Sequence, residues 1–298
     1  MSIRNVFSES GRLRTGWRLA IFLLVSFPPL YVLTRLWWEE LLLRYFIIFW
    51  LLLIISFLSA RFLDRRPIGT IGFLFHSRWL REFIQGLLIG SIAVTILFAL
   101  EITLGHLDIT ARAISPSLLF SVFVVSALKT LFQSAFEELF FRGYAFQALI
   151  ECTNALVATV VISCLFGLGH LLTPNASWIV ATNLAVFGAM HAIGYIRTKS
   201  LFLPSGMHFG WNFFMRHIYS LPVSGAGGSD TLLSAEVSGP TWITGGEYGP
   251  EAGIPAVVVM VAASCLIYGF PGIRLAAEMK YLWAAYEAGS TDSQPRRL

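Results

Sequence analysis

Long apolar runs recur along most of this chain and restrict what it can fold into. A helix needs about 20 consecutive apolar residues to cross the hydrocarbon core of a bilayer. Eight such runs are found, at residues 18–36, 42–60, 84–104, 118–141, 155–172, 178–196, 200–220 and 254–273. With a composition that is 56% hydrophobic and 13% charged, they predict an all-α membrane protein, a polytopic bundle of about eight transmembrane helices.

The basic residues predict the orientation of this bundle. With eight spans and the N-terminus inside, sixteen Lys and Arg residues fall on or near the cytoplasmic side, against three outside, Arg35, Arg44 and Arg112. Cytoplasmic loops are enriched in Lys and Arg, so both termini are expected in the cytoplasm. The net charge of +4 then reflects topology and contact with anionic lipids, and no basic stripe with interleaved aromatic residues indicates nucleic-acid binding.

The chain is expected to form one apolar domain with a polar tail at each end. Residues 1–16 predict a cytoplasmic N-terminal tail and residues 286–298 a disordered C-terminal tail, because both are polar. Residues 17–285 then form a single helical membrane domain. Within it, the segment 221–253 is rich in Gly and Ser and has no Lys or Arg, so it is expected outside, as a structural cap or as a gate for substrate.

Ionisable residues inside the apolar runs indicate a candidate site. A charge near the bilayer centre costs roughly 2.5 to 3.5 kcal/mol on insertion scales, so such residues usually serve a function. In the sequence EELFFR at 137–142, Glu138 and Arg142 are one helical turn apart and predict an ion pair. Glu137 is rotated by about 100°, which leaves it available as a general base. The alternative is a charged helix end at the cytoplasmic boundary.

A histidine on the next expected span lies at a matching depth. Glu137 precedes the polar turn near residues 151–154 by about as many residues as His170 follows it. Antiparallel helices would bring both to similar depth, roughly 20 Å from the turn at about 1.5 Å per residue. Phe166 precedes His170 by one turn and is expected to pack against its ring. A carboxylate and an imidazole are therefore predicted to face one another inside the bilayer.

A further pair, His208 and Asn212, lies one turn apart in HFGWN at 208–212. A histidine and a carboxamide on one helical face offer two hydrogen-bond donors to an oxyanion on a scissile carbonyl. The alternative is hydrogen bonding between helices, worth about 0.6 kcal/mol per contact. The other histidines, including His191 on the sixth expected span, are interpreted as core or interface residues because no motif surrounds them.

The motifs EExxxR, FxxxH and HxxxN, in this order, resemble those of the CAAX prenyl protease and bacteriocin-processing (CPBP, or ABI) family of intramembrane proteases. The resemblance covers residues 116–220 and falls on the fourth, fifth and seventh expected spans. The residues that carry it are Glu137, Glu138, Arg142, Phe166, His170, His208 and Asn212.

The resemblance implies an intramembrane endopeptidase similar to type II CAAX proteases, with a site that opens to the cytoplasm. By similarity, Glu137 and His170 would hold and activate a water, and His208 with Asn212 would stabilise the oxyanion. Arg142 would support the carboxylates. The chain has no HExxH zinc signature. Glu137, His170 and His208 could ligate Zn²⁺ or could act on water without a metal, and the sequence leaves both open.

Two other function classes stay open. One is a non-catalytic scaffold or bacteriocin-immunity protein, although such a protein would be expected to lose motif residues. The other is a proton-coupled transporter that uses Glu137 and His170 as a relay, although transporters usually carry repeated halves. The expected partners are membrane lipids and a peptide or lipidated protein substrate, and not nucleic acid. The resemblance implies a bacterial plasma membrane.

Overall fold

A computed structural model describes residues 8–9, 12–36, 41–228 and 230–288, and these residues are mostly helical. The helices are α1 (Thr15–Leu36), α2 (Leu41–Leu58), α3 (Trp79–Thr103), α4 (Pro116–Phe120), α5 (Ala127–Arg142), α6 (Tyr144–Cys152), α7 (Ala155–Gly169), α8 (Trp178–Thr198), α9 (Phe202–Phe213), α10 (Thr241–Thr244), α11 (Ile254–Gly269) and α12 (Ala277–Ala288). Turns of π-helix extend α2 over Ser59–Leu63, join α4 to α5 over Ser121–Ser126 and extend α9 over Phe214–Ile218. The predicted all-α class is confirmed.

Strands form only one short hairpin and one short antiparallel pair within the described residues. Strand β1 (Ser8–Glu9) pairs with β2 (Arg12–Leu13), and β3 (Leu107–Ala111) pairs with β4 (Leu233–Val237). In the second pair Leu107 lies opposite Val237. This pair joins the segment after α3 to the long segment that follows α9.

Six helical segments within the described ranges are long and apolar enough to cross a membrane. They are Thr15–Leu33, Leu42–Leu63, Trp79–Thr103, Pro116–Cys152, Ala155–Leu172 and Trp178–Thr198. The chain is therefore an integral membrane protein. The count differs from the eight spans expected, because the last two apolar runs form shorter helices. Helix α9 has 12 residues before its five-residue π-helix, and α11 has 16.

The two predicted tails are partly helical or paired where they are described. In the predicted N-terminal tail, the hairpin precedes α1, which begins at Thr15, while residues 1–7 and 10–11 lie outside the described residues. In the predicted C-terminal tail, α12 continues to Ala288. Residues 289–298 lie outside the described residues, so the disorder expected there stays a prediction.

Helices α3 and α9 approach closely because glycines line their contact. A Cβ atom at any of four positions would overlap a backbone carbonyl oxygen of the other helix. These positions are Gly86 and Gly90 on α3 and Gly206 and Gly210 on α9. Small residues at such spacing allow helix backbones to pack tightly inside a membrane. The contact fixes the position of α9, which carries the third sequence motif.

Charged side chains meet in a buried cluster at the end of the bundle where α6 turns into α7. Arg18 on α1 pairs with Asp64, which follows the π-helix after α2. Arg66 pairs with Glu151 on α6 and lies 3.7 Å from Asp64. Arg66 also donates a 2.9 Å hydrogen bond to Gln147. This ionic cluster of Arg18, Asp64, Arg66 and Glu151 joins α1, α2 and α6.

Candidate active site

Helix α5 carries a buried ion pair into the interior of the bundle. Glu138 and Arg142 are both 0% exposed, and Arg142 Nη1 lies 3.2 Å from Glu138 Oε1. Arg142 Nη2 also donates a 2.8 Å hydrogen bond to the carbonyl oxygen of Gly188 on α8. The ion pair predicted from the spacing is confirmed. Because both charges are paired, the cost of burying them is partly offset.

His208 on α9 lies between the two adjacent carboxylates of α5. Its Nδ1 is 2.9 Å from Glu138 Oε1, and its Nε2 is 3.7 Å from Glu137 Oε2. Glu137 also accepts a 3.3 Å hydrogen bond from Gln133. Since a carboxylate accepts at Nδ1, the neutral ring carries its proton there and presents a lone pair at Nε2. Asn212, one turn further along α9, is buried as well.

Phe166 on α7 is in contact with residues of all three motifs. Its ring centroid lies 4.6 Å from that of His170, as expected, and 6.2 Å from that of His208. The guanidinium carbon of Arg142 lies 4.7 Å above the same ring. His170 bonds through Nδ1 to the Phe166 carbonyl oxygen at 2.8 Å, so its Nε2 is the nitrogen left for chemistry. Within the described part of the chain, no hydrogen bond or ion pair joins His170 to Glu137.

His191 on α8, interpreted from the sequence as a core residue, lies at the site. Its ring centroid is 5.5 Å from that of His208, and its Nδ1 bonds to the Phe187 carbonyl oxygen at 2.8 Å. The segment Phe187–His191 therefore repeats the geometry of Phe166–His170. Both read Phe-Gly-x-x-His in the sequence, so a search for a second copy of FxxxH would have found it.

One group of three ligand-type residues stands out in the described ranges. Glu138, His191 and His208 each offer an atom within 4.8 Å of the other two. The ligand set expected from the sequence shares only His208 with it, since the expected Glu137 and His170 are replaced by Glu138 and His191. Glu138 Oε2 and His191 Nε2 are buried without a hydrogen-bond partner. Such atoms need a water or an ion, and carboxylate and imidazole both suit zinc.

Comparison with known proteins gives a match over the region of the three motifs. Residues 116–214 match the family model described as type II CAAX prenyl endopeptidase Rce1-like. The uncharacterized protein YyaK of Bacillus subtilis (strain 168) is 31% identical over 115 residues. That match covers 37% of this chain and 38% of the length of YyaK. No solved structure matches the chain.

Proposed function

Because residues 116–214 form an Rce1-like type II CAAX prenyl endopeptidase domain, we propose that the protein is an intramembrane endopeptidase. It hydrolyses a peptide bond in a membrane-associated or prenylated substrate. The observation that carries this proposal is His208 between Glu137 and Glu138, with ring nitrogens 3.7 and 2.9 Å from the two carboxylates. This constellation lies inside the matched region and holds the groups that peptide hydrolysis needs.

Glu137 is the general base of the proposed mechanism. Its side chain is 15% exposed, whereas that of Glu138 is fully buried, so Glu137 is the carboxylate that a water can reach. With the water positioned by His170, Glu137 takes one of its protons and the hydroxide attacks the scissile carbonyl carbon. When the C–N bond breaks, the proton held by Glu137 passes to the leaving amine.

His208 and Asn212 stabilise the negative charge that develops on the carbonyl oxygen. Asn212 donates through its carboxamide whatever the protonation state of its neighbours. His208 donates through Nε2 only as the imidazolium, because the neutral ring held by Glu138 at Nδ1 has a lone pair at Nε2. Arg142 keeps Glu138 in place for this task through the 3.2 Å ion pair. Donors fixed before the reaction starts lower its barrier most effectively.

Replacing the proposed base should abolish cleavage while leaving the fold intact. We expect Glu137→Gln to lower the rate by about 100-fold to 10,000-fold, the usual contribution of a general base. The measurement is hydrolysis of a quenched peptide library, including farnesylated CAAX peptides, by protein in liposomes. Glu236→Gln, which alters an exposed carboxylate on β4, is the matched control. A fully active Glu137→Gln variant rules out this assignment, and a wild type that cleaves nothing favours a scaffold.

Whether the enzyme uses zinc is a separate part of the proposal. Glu138, His191 and His208 are the residues that would hold the ion. A zinc ion held there would supply Lewis-acid activation of a water or of the scissile carbonyl. The guanidinium of Arg142 beside Glu138 opposes a cation at this place, and this contact favours water activation by the protein groups alone.

Metal analysis separates the two forms of the mechanism. If zinc is used, the purified protein contains about one equivalent, His191→Ala loses it, and a chelator stops cleavage. Elemental analysis of wild type and variant gives this answer without an activity assay. A metal-free protein whose cleavage survives the chelator excludes the zinc mechanism.

We also propose that the protein resides in a bacterial plasma membrane with both termini in the cytoplasm. The distribution of Lys and Arg supports this orientation, and the match to a protein of Bacillus subtilis supports the compartment. Its partners are then membrane lipids and a peptide or lipidated protein.

A further inference from the structure

Two side chains from the segment 221–253 reach into the bundle beside the candidate site. Tyr248 and Glu251 are each 2% exposed, whereas their neighbour Glu247 is exposed. The backbone around them is held in a defined shape, since Gly249 has φ +106° and has no room for a Cβ atom against the carbonyl of Pro222. Neither Tyr248 nor Glu251 belongs to the three motifs.

The Glu251 carboxylate joins this segment to α9. Its Oε1 accepts a 3.0 Å hydrogen bond from Trp211 Nε1, and its Oε2 accepts one of 3.0 Å from the backbone N–H of Ser224. Its own carbonyl oxygen accepts a 3.0 Å bond from Asn183 on α8. Burial raises the pKa of Glu251, and the Ser224 N–H and the indole N–H act in the opposite direction. A buried carboxylate with a donor on each oxygen is firmly held.

Trp211, which is held by Glu251, contacts the histidines of the site through the ring of Phe187. It lies on α9 between His208 and Asn212 and is fully buried. Its ring centroid is 5.4 Å from that of Phe187, which in turn is 5.3 Å from that of His208 and 4.1 Å from that of His191. Rings in contact at such distances restrict one another's orientation. A shift of the Trp211 indole therefore displaces Phe187, whose ring contacts both His208 and His191.

Tyr248 reaches the third histidine by another route. Its hydroxyl oxygen is 3.3 Å from Thr173 Oγ1, and Thr173 donates a 2.7 Å hydrogen bond to the carbonyl oxygen of His170. The Tyr248 carbonyl oxygen accepts a 3.0 Å bond from the Gly225 N–H. The same short stretch of chain thus contacts the supports of His170 and of His208.

We propose that Tyr248 and Glu251 form a loop clamp that positions His170 and His208 for the proposed peptide hydrolysis. Glu251 is a positioning residue that acts through Trp211 and Phe187, and Tyr248 is one that acts through Thr173. Through these two residues, the segment 221–253 supports the catalytic groups in addition to covering the bundle. This inference rests on the proposed function for its kinetic consequence, while its structural consequence can be measured without any substrate.

The test compares Glu251→Gln, Trp211→Phe and their double variant with Glu247→Gln as the matched control. We expect Glu251→Gln and Trp211→Phe each to lower kcat by about 10-fold to 100-fold, with KM within twofold, as small displacements of catalytic groups do. The double variant should be no slower than the slower single variant, because both changes break the same link from Ser224 through residue 251 to residue 211, a glutamine having only one oxygen for the two donors. Glu247→Gln should match the wild type. Additive losses, or a wild-type kcat for Glu251→Gln, would overturn the clamp.

Hydrogen exchange measured by mass spectrometry gives a second readout that needs no substrate. In Glu251→Gln we expect faster amide exchange in peptides covering 205–213. Tyr248→Phe, which keeps the ring and loses one hydroxyl, should speed exchange over 170–176 and serves if Glu251→Gln fails to fold. If wild type cleaves nothing, the proposed function fails while exchange still decides the clamp. Unchanged exchange in both variants refutes it.

Discussion

At the scale of single residues, Glu138 is a carboxylate that is fully buried between a guanidinium and an imidazole. It is fully buried, and its Oε1 lies 3.2 Å from Arg142 and 2.9 Å from His208, while its Oε2 has no hydrogen-bond partner. Glu137, its neighbour in the chain, keeps some exposure. The two carboxylates therefore differ in surroundings, and in the proposed mechanism Glu138 supports the fold of the site while Glu137 takes part in its chemistry.

Replacing each carboxylate in turn should separate stability from activity. We expect Glu138→Gln to lower the free energy of unfolding by about 3 to 5 kcal/mol, because it leaves Arg142 as an uncompensated buried charge. Glu137→Gln should change it by less than about 1 kcal/mol, since no buried charge loses its partner. Denaturation in detergent, followed by circular dichroism, measures both. Equal stability of the two variants would contradict this division.

The residues of the site were predictable from the sequence only where local spacing determines contact. The Glu138–Arg142 pair follows from a separation of one helical turn, as does the packing of Phe166 on His170. The role of His191 does not follow from such spacing, because the groups it faces come from α5 and α9. Its Phe-Gly-x-x-His pattern was present in the sequence, but an isolated histidine in an apolar helix resembles an ordinary core residue.

At the scale of helices, the glycine contact between α3 and α9 positions His208 and Asn212, the proposed oxyanion residues. The backbones touch where Gly86 and Gly90 meet α9, so α9 is as close to α3 as two helix backbones allow. His208 lies between Gly206 and Gly210 in the sequence. The fit of two helix backbones therefore sets the place of a side chain that faces the opposite way, toward α5.

Filling this contact should destabilise the protein and impair the site. We expect Gly90→Ala to cost about 1 to 3 kcal/mol of unfolding free energy, as overpacking does, and to reduce activity because α9 must move. Gly269→Ala, at the end of α11 where a Cβ atom has open space, is the control and should be neutral or slightly stabilising. Thermal unfolding in detergent compares them. A Gly90→Ala variant as stable as the wild type would show that the contact can adapt.

The lengths of the last helices were less predictable than their existence. Apolar runs at 200–220 and 254–273 indicated two further spans, but α9 and α11 are short. Hydrophobicity shows that a helix is shielded from water, but it does not distinguish contact with lipid from contact with other helices. Every residue of α9 except Phe209 is buried by its neighbours, so the apolar character of this helix matches burial inside the protein.

At the scale of the whole molecule, the ionic cluster holds the first two helices to the rest of the bundle. Arg18, Asp64 and Arg66 are all at most 7% exposed. Their partners come from α1, the end of α2 and α6, which are far apart in the sequence. Nothing in the sequence indicated that these residues meet, because long-range pairing leaves no local pattern to recognise.

Breaking this cluster should have an effect that is large and not additive. We expect Arg18→Met or Asp64→Asn to cost about 3 to 5 kcal/mol each, as loss of one partner of a buried pair does. The double variant should cost clearly less than the sum, since both changes remove one interaction. Arg65→Ala, an exposed neighbour, should be nearly neutral. Strict additivity in chemical denaturation would rule out the pairing.

The charged residues of α5 bear on how this helix enters the membrane. This helix carries Lys129, Glu137, Glu138 and Arg142, so its two positive and two negative charges cancel within a single segment. Glu138 and Arg142 can therefore neutralise each other within α5 itself, with no partner from another helix. The charged residues of the candidate site thus belong to one helix without net charge, whereas His191 and His208 come from helices later in the chain.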